Sequence, residues 1–251
     1  MSKRTRAIFF YLAVVVFLCL SYLMVVFALG YQYDFAQHRF VRMGSFRLVA
    51  NAGANVYIND RLVGDMSFLG NSYSKGRLLP RSYSVRLEKE GYQPWKKNVP
   101  VVAGLFTDMP KVVLMPEVLS EIAIASPSAD ILANIASGSH TVQITKNKIL
   151  EVQPHEIWIT YVSDTDYQPY HKANDRELLL RVPYLITEAQ WYKDHDHVLI
   201  SGNGVLSFVE IDKRGGLNMY HLASIDGLFW YDQDENTVFA TKDGVVYQIK
   251  L

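Results

Sequence analysis

The pattern of apolar positions divides the chain into one long helix-length run and many short alternating segments. Residues 7–30 carry no charged side chain, and at about 1.5 Å per residue they would form a helix of roughly 36 Å. This exceeds a bilayer core of about 30 Å, so the run predicts a transmembrane helix. Lys3, Arg4 and Arg6 precede it. The positive-inside rule then predicts a cytoplasmic tail over residues 1–6 and an extracytoplasmic remainder.

The same run has a second interpretation, as a cleaved signal peptide. Ala28 and Gly30 would lie three residues and one residue before a cut that precedes Tyr31, which is an acceptable small-residue pattern. Apolar regions of signal peptides span only about 7–15 residues, however, and this run is longer. We therefore predict an uncleaved signal-anchor in a single-pass membrane protein, followed by a juxtamembrane linker over residues 31–43.

Short alternating segments begin at residue 44 and continue to residue 116. Apolar and polar residues alternate in Ser45–Ala50, Asn55–Asn59 and Tyr83–Lys89, which is typical of strands with one buried face. Further strands are predicted over Leu62–Gly64, Arg77–Pro80, Trp95–Val102 and Lys111–Met115. Such short strands with closely spaced turns predict a small antiparallel β-sandwich.

Several motifs within residues 44–116 match a known family. Lys89-Glu90-Gly91-Tyr92 is followed by Trp95, and Gly53-Ala54 precedes Val56-Tyr57-Ile58-Asn59. On these residues the stretch resembles a PEGA domain, a small β-sandwich common in prokaryotic surface and envelope proteins. It departs from the family at Asp60, where glycine is usual, although aspartate tolerates a left-handed turn. The resemblance implies a spacer or adhesion-type module and supplies no catalytic residue.

Residues 117–251 contain an internal repeat. Trp191-Tyr192 aligns with Trp230-Tyr231, 39 residues later, and each pair is followed by an acidic turn and an apolar strand. A period near 40 residues is the size of a propeller blade, and the region looks like the propeller-type β-repeats that often follow PEGA domains. A weaker, earlier unit is predicted from strands over Glu121–Ile124, Asp130–Ile135, Thr141–Thr145 and Glu156–Val162.

The length of this region limits how it can close. Residues 117–251 hold roughly three to three and a half units of about 40 residues, whereas propellers have about four to eight blades. Such an array would expose strand edges. It is therefore a shortened member of a longer family, or it folds onto the first domain or onto another copy of the chain.

Composition narrows the classes of partner. The chain has 25 basic and 25 acidic residues, and no basic stripe appears beyond the N-terminal tail, so we expect no nucleic-acid partner. Cys19 is the only cysteine and lies in the apolar run. The domains that follow are therefore predicted to have no disulfide and no thiolate metal site.

Two polar clusters have metal-binding and structural interpretations. Asp194-His195-Asp196-His197 would place two histidines on one face of a strand, as in metal sites. The aligned residues of the next repeat, Gln233 to Asn236, keep the polarity and lose the histidines, which favours a hairpin turn. Asp164-x-Asp166 could bind calcium but lacks the glycine and the twelfth-position carboxylate of an EF-hand loop. We expect a polar loop over Ser163–Arg176 there.

Other candidate motifs give equally weak evidence for a functional site. Ser137-Gly138-Ser139-His140 places serine near histidine without a nucleophile-elbow motif. Gly202-Asn203-Gly204 is a two-residue hairpin signal and not a phosphate loop. Exposed tryptophans could stack on sugars, but Trp95, Trp158, Trp191 and Trp230 are expected in the core, on strands.

These observations predict a mainly β, non-enzymatic protein anchored at the prokaryotic cell envelope through residues 7–30. We expect no catalytic, cofactor-binding or metal-ligating residue and no cofactor. Residues 117–251 are the expected binding face for an envelope protein or glycan, and self-association is a further expectation. The alternative is a membrane-tethered hydrolase of wall polysaccharide, which would need two carboxylates about 5–9.5 Å apart.

Overall fold

The computed structural model describes residues 3–67, 69–138 and 142–251. The chain is mainly β, with 48% of its residues in strands and 14% in helices, which confirms the predicted fold class. Helix α1 (Lys3–Ala28) begins four residues before the predicted apolar run, so the basic residues of the tail lie in its first turns. None of its residues is buried. Within the described ranges it is the one helix long and apolar enough to cross a membrane, with a mean hydropathy of 2.7.

The predicted linker over residues 31–43 is a β-hairpin. Strand β1 (Tyr31–Asp34) pairs antiparallel with β2 (Arg39–Arg42). Asp34 Oδ1 accepts the backbone N–H of Ala36 at 2.9 Å, which closes the turn. The alternation of Tyr31, Tyr33 and Val41 was present in the sequence, but four-residue strands are too short for the pattern to be read reliably.

A two-sheet sandwich follows, as predicted, with seven strands. They are β3 (Gly44–Ala50), β4 (Asn55–Ile58), β5 (Arg61–Asp65), β6 (Ser72–Leu78), β7 (Ser82–Glu88), β8 (Trp95–Pro100) and β9 (Phe106–Val112). One sheet has the order β6-β3-β9 and the other β5-β4-β7-β8. Their inward faces share one core, which includes Phe46, Leu48, Val56, Leu87 and Trp95.

Three details of the sandwich differ from the prediction. Strand β9 pairs parallel with β3, so the sandwich is not purely antiparallel. The closing strand lies at Phe106–Val112 and not at Lys111–Met115. Strand β6 was predicted only at its end, because it is an edge strand with mostly exposed side chains and shows no alternation. Asp60 has the left-handed turn conformation that aspartate tolerates, with φ of 63°, and Asn59 before it has φ of 49°.

The repeat region forms three four-stranded antiparallel sheets within the described residues. Its strands are β10 (Ser120–Ile124), β11 (Val142–Ile144), β12 (Lys148–Val152), β13 (Glu156–Tyr161), β14 (Arg176–Arg181), β15 (Ile186–Trp191), β16 (His197–Gly202), β17 (Val205–Glu210), β18 (Met219–Ser224), β19 (Phe229–Asp232), β20 (Thr237–Lys242) and β21 (Val245–Lys250). The sheet orders are β11-β12-β13-β14, β15-β16-β17-β18 and β10-β21-β20-β19. The first strand of the region thus completes its last sheet.

The predicted strand over Asp130–Ile135 is wrong, because these residues lie in helix α2 (Ala129–Ala136). The Ser128 hydroxyl accepts the N–H of Ile131 at 3.3 Å and caps the helix. Ile135 is buried against Phe239 in the last sheet, and Ile131 packs on the same cluster. The four-residue spacing of the two isoleucines is a helical signal, but eight residues give it little length.

The period of the last two sheets is 40 residues and not 39. Trp191 pairs with Val198 across β15 and β16, and Tyr231 pairs with Val238 across β19 and β20. Trp191 is therefore equivalent to Tyr231, and the predicted alignment with Trp230 is one residue out of phase. The same period aligns the glycines of the two tight turns, Gly204 and Gly244.

A glutamine joins each sheet to the next. Gln190 on β15 donates to the Phe229 carbonyl and accepts from the N–H of Tyr231, both at 2.9 Å. One sheet earlier, Gln143 on β11 donates to the Ala189 carbonyl and accepts from the N–H of Trp191 at 3.3 Å. The two side chains satisfy equivalent backbone groups, so the repeat extends to the contacts between sheets.

The repeat region also packs on the chain that leaves the sandwich. Val113 and Met115, just after β9, belong to the core of the repeat region with Tyr192 and Phe229. The junction between the two units therefore begins slightly before the predicted boundary at residue 116. The two units meet over strands β8 and β9 of the sandwich and the end of β17.

Candidate functional site

Buried polar residues begin the second strand of each sheet in the repeat region. They are Lys148 on β12, His197 on β16 and Thr237 on β20. Their partners in register end the third strands: Tyr161, Glu210 and Lys250. Since buried polar groups need hydrogen-bond partners, this layer is where specific chemistry concentrates.

Lys148 organises the first part of the layer. Its Nζ donates to Asp196 Oδ1 at 2.6 Å, to Tyr167 Oη at 3.0 Å and to the His195 carbonyl at 2.9 Å. Tyr167 Oη in turn donates to Asp196 Oδ1 at 2.7 Å. All three protons of the ammonium group are used, so the network fixes the loop after β13 against the turn before β16.

Glu210 at the end of β17 receives donors from the sandwich. Lys97 Nζ lies 2.9 Å from Glu210 Oε1, and Trp95 Nε1 donates to Oε2 at 3.1 Å. Asn218 Nδ2 also donates to Oε2, at 3.0 Å. Lys97 Nζ further donates to the Asp212 carbonyl. Both charged side chains are buried, and each is paired across the junction between the two units.

A second set of contacts extends this junction. Arg214 contacts both carboxylate oxygens of Asp212 and donates to the Asp108 carbonyl on β9 at 2.7 Å. Gln168 donates to the Phe106 carbonyl at 2.7 Å and accepts the Asp108 N–H at 2.9 Å. Burial would raise the pKa of Asp212, but the hydrogen bonds and charge of Arg214 and the charge of Lys97 hold it below its ordinary value.

These contacts border a small cleft of about 20 Å³, which is room for roughly one water molecule. We call it the interdomain cleft. It is lined by residues 109–112 of the sandwich and by Lys148, Tyr161, Thr165, Tyr167, Gln168, Pro169, His171, Asp196, Glu210, Ile211 and Asp212.

His171 is the unusual group in the interdomain cleft. Its ring stacks on Tyr161 with centroids 3.8 Å apart, and its side chain is 9% exposed. Burial lowers the pKa of His171, which favours the neutral imidazole. Nδ1 lies 3.7 Å from Glu177 Oε1, whereas Nε2 has no hydrogen-bond partner in the described part of the chain. The cleft therefore offers one open hydrogen-bonding position.

The carboxylates of the cleft are already committed to donors. Asp196 accepts from Lys148 and Tyr167, Glu210 from Lys97, and Asp212 from Arg214. A glycosidase acid needs a raised pKa. The described carboxyl group whose pKa is raised, to about 7, is Glu188, which does not line the cleft.

The Asp194–His197 cluster forms a turn, as predicted. Asp194 Oδ1 accepts the Asp196 N–H at 2.8 Å, and Asp194 Oδ2 lies 2.8 Å from His197 Nδ1. The buried ring of His197 stacks on Phe208 with centroids 4.6 Å apart. His195 takes a left-handed turn conformation, with φ of 55°. No group of three or more candidate metal ligands occurs among the described residues.

The other motifs of the described chain form loops, caps and turns. Asp164 accepts from Lys172 Nζ at 2.7 Å and from the Ala173 N–H at 2.9 Å, inside the predicted polar loop between β13 and β14. Ser139 and His140 lie outside the described residues, while Ser137 caps α2. Asn203 and Gly204 both have positive φ, as a two-residue hairpin turn requires.

Two of the four tryptophans are core residues. Trp95 and Trp191 are buried, as predicted. Trp158 and Trp230 are only half-buried, which corrects the prediction for these two. Trp158 lies under the Arg176 guanidinium at 4.1 Å. Trp230 stacks on Phe239 with centroids 5.3 Å apart. Each lies on the face of its strand opposite to its buried neighbours. For Trp230, that face packs on the small cluster with Ile135 and Val246.

The residues that build the junction were missed by sequence reasoning. Lys97 stands between Trp95 and Val99 in an alternating strand, on the inward face. A lysine at such a position needs a buried acid, which was the available signal. Glu210 likewise lies in β17, where five of six residues are buried.

Comparison with known proteins identifies the sandwich. Residues 50–112 match the model of the PEGA domain. The chain contains a PEGA domain. The match spans β4 to β9 and ends where the junction begins, so it describes the PEGA domain and leaves the repeat region unassigned.

Comparison with complete proteins adds little. No curated protein matches this chain. Among solved structures, it is similar to a Bacteroides fragilis protein of unknown function that has been provisionally described as membrane-associated. The two are 9% identical, and the match covers 82% of this chain and 94% of that chain with a TM-score of 0.22. At this TM-score the similarity supports no conclusion about the fold or the function of this chain.

Proposed function

We propose that this protein is a membrane-tethered, extracytoplasmic and non-catalytic component of the prokaryotic cell envelope. The observation that carries the proposal is α1, whose apolar side chains find no protein partner in the described structure. The Met43 N–H donates to the Gly30 carbonyl at 2.8 Å, so the tether holds the start of the PEGA domain close to the end of the helix. The basic residues Lys3, Arg4 and Arg6 support a cytoplasmic N-terminus.

The interdomain contacts support a rigid role for the folded part. The Lys97–Glu210 pair and the Arg214 contacts tie the PEGA domain to the repeat region through buried groups. A spacer that presents the repeat region at a fixed angle needs such a junction. The committed carboxylates of the interdomain cleft agree with a binding role better than with hydrolysis.

The binding face proposed for residues 117–251 is the outer surface of the repeat sheets. Half-buried Trp158 lies under the Arg176 guanidinium, so an aromatic ring and a positive charge are adjacent on this surface. Aromatic residues and arginine are enriched in protein interfaces, and aromatic rings also stack on sugars. The partner is therefore an envelope protein or a glycan.

The topology is tested by protease treatment of spheroplasts that express the full chain with a C-terminal tag. We expect added protease to remove the tag and leave a small membrane fragment that contains α1. Protection of the tag in intact spheroplasts, with loss after detergent, would contradict the orientation. The mass of the untreated mature chain is the control for cleavage, because a chain that begins at Tyr31 would rule out the anchor.

The hydrolase alternative is tested on the same purified full chain. Incubation with wall polysaccharide should release no soluble fragments, whereas affinity capture from envelope fractions should retain a specific protein or glycan. Loss of that capture in Trp158→Ala, with unchanged circular dichroism, would place the partner on the proposed face. Fragment release that is lost in a carboxylate variant would replace the binding proposal with the hydrolase.

A further inference from the structure

A loop of the PEGA domain lies beside the C-terminal end of α1. The Met43 N–H donates to the Gly30 carbonyl at 2.8 Å, directly after the helix. The Gly104 N–H donates to the Met43 carbonyl at 3.2 Å, and the Leu105 carbonyl accepts the Ser45 N–H at 3.1 Å. Through Met43, the loop between β8 and β9 is fixed to the end of the helix by backbone hydrogen bonds.

Apolar side chains are concentrated at this end of the molecule. Leu105 in this loop is 60% exposed. The exposed set also includes Val102, Phe106 and Tyr170. Tyr170 belongs to the repeat region, but it lines the same groove as the other three residues. We call these four residues the juxtamembrane face.

Arginines border the juxtamembrane face. A groove next to the last turn of α1 is lined by Arg42 and Arg77 together with Leu105 and Phe106. Both arginines are exposed, and neither forms an ion pair in the described part of the chain. The nearby Asp108 is paired with Arg47 at 2.6 Å. The local charge is therefore positive.

We propose that the juxtamembrane face inserts into the headgroup layer of the leaflet that the C-terminal end of α1 reaches. This inference rests on the proposed tether. Aromatic side chains are favoured at that depth, and apolar residues flanked by cations bind anionic lipid surfaces. The occupant is the bilayer itself, because the face is continuous with the end of the helix that enters it. Both folded units would thereby be held at a fixed tilt.

The test places a fluorescent reporter on the face and at matched positions. In the full chain with Cys19→Ser, Leu105→Cys carries an environment-sensitive dye in vesicles of phosphatidylcholine and phosphatidylglycerol. Leu69→Cys is the matched control, since Leu69 is an exposed leucine (85%). It precedes β6, at the end of β3 opposite to Gly44. The native Cys19, labelled in the unmodified chain, reports on α1 itself.

Nitroxide-labelled lipids should quench the dye at position 105 several-fold more than the dye at position 69, with strong quenching at Cys19. Arg42→Gln with Arg77→Gln should reduce the quenching at position 105 when phosphatidylglycerol is present. Quenching at Cys19 but not at position 105 would overturn the inference and leave the tether standing. A concentration-dependent dye shift without lipid quenching would assign the face to a protein contact instead. Absence of quenching at Cys19 would reject the tether itself.

Discussion

Lys97 Nζ lies 2.9 Å from Glu210 Oε1, and this buried pair joins the PEGA domain to the repeat region. The two residues are 113 positions apart in the sequence. Each charge would be costly alone in this environment, since a buried ion without its partner destabilises a protein strongly. The pair therefore makes the folding of the two units interdependent.

Lys97→Met should lower the free energy of unfolding by roughly 3–5 kcal/mol, because it leaves Glu210 buried without its cation. Urea denaturation of the full chain in detergent measures the change. Lys172→Met is the matched control: its partner Asp164 is exposed, and exposed ion pairs contribute little to stability. In the double variant Lys97→Met with Glu210→Met, the loss should be smaller than the sum of the single losses. Equal losses for Lys97→Met and Lys172→Met would contradict the interdependence.

Gly215→Ala should disrupt the same junction. Gly215 has a φ of +72°, and a Cβ there would overlap the backbone carbonyl of Asn98 on β8. The Gly215 carbonyl also accepts the Asn98 N–H at 3.1 Å. The neighbouring Gly216 also has positive φ, but a Cβ added there would meet no atom within 4 Å. Gly216→Ala therefore reports the free-energy cost of a positive φ without a steric overlap.

Limited proteolysis between the two units reports the opening of the junction. We expect faster cleavage in Gly215→Ala than in Gly216→Ala at the same temperature. The same cleavage rate in both variants would mean that the Asn98 contact does not hold the units together.

Local alternation was enough to predict most of the PEGA domain, but it did not identify its partner surface. Phe46, Leu48 and Val85 face inward at alternating positions, so their strands can be predicted from the sequence. Lys97 occupies an equally inward position, yet the sequence does not show which of 25 acidic residues pairs with it. That choice depends on the packing of two distant units. The edge strand β6 could not be predicted for the opposite reason. Its side chains are mostly exposed on both faces, so apolar and polar residues do not alternate along it.

The one-residue error in the repeat has a physical cause as well. Sequence identity favours aligning Trp191 with Trp230. Strand pairing gives a different alignment, because Trp191 pairs with Val198 and the residue that pairs with Val238 is Tyr231. A shift of one residue moves a side chain to the other face of a strand. The aromatic that replaces Trp191 in the last sheet is therefore Tyr231, and Trp230 lies on the outer face.

Trp191→Ala and Trp230→Ala should consequently differ in stability. Trp191 is 3% exposed, so its truncation should cost roughly 3–5 kcal/mol. Half-buried Trp230 loses less apolar contact, and about 1–2 kcal/mol is expected. Urea denaturation of both variants of the full chain measures the difference. Equal losses would restore the 39-residue alignment, and native-like stability in both, with loss of glycan capture, would favour a sugar-stacking role.

His195→Ala and His197→Ala separate a structural histidine from a metal ligand. His197 is buried between Asp194 and Phe208, so its removal should lower the melting temperature, whereas His195→Ala should have a small effect. The melting temperatures of both variants should be the same in EDTA and in added zinc, because both histidines have structural roles in the turn. A zinc-dependent rise in the melting temperature that is lost in the double variant would show a metal site.

The stability of the protein should depend on pH through Glu188 on β15. Burial raises the pKa of Glu188 to about 7 in the folded protein, from an ordinary value of 4.5. The folded state therefore holds a proton that the unfolded chain releases, and the resulting stability is present below pH 4.5 and is lost as the pH rises through 7. At about 1.4 kcal/mol per pKa unit, the full loss is roughly 3 kcal/mol.

The matched variant for this prediction is Glu188→Gln, which keeps the shape of the side chain and cannot ionise. His171 acts in the opposite direction, because its lowered pKa makes the folded state gain stability as the pH rises through the ordinary histidine value of 6.5. The difference between the wild-type and Glu188→Gln unfolding free energies removes that contribution. It should change steadily between pH 4.5 and about pH 8, with the variant becoming relatively more stable at the higher pH. A difference that is constant with pH would show that the pKa of Glu188 is the same in the folded and the unfolded protein.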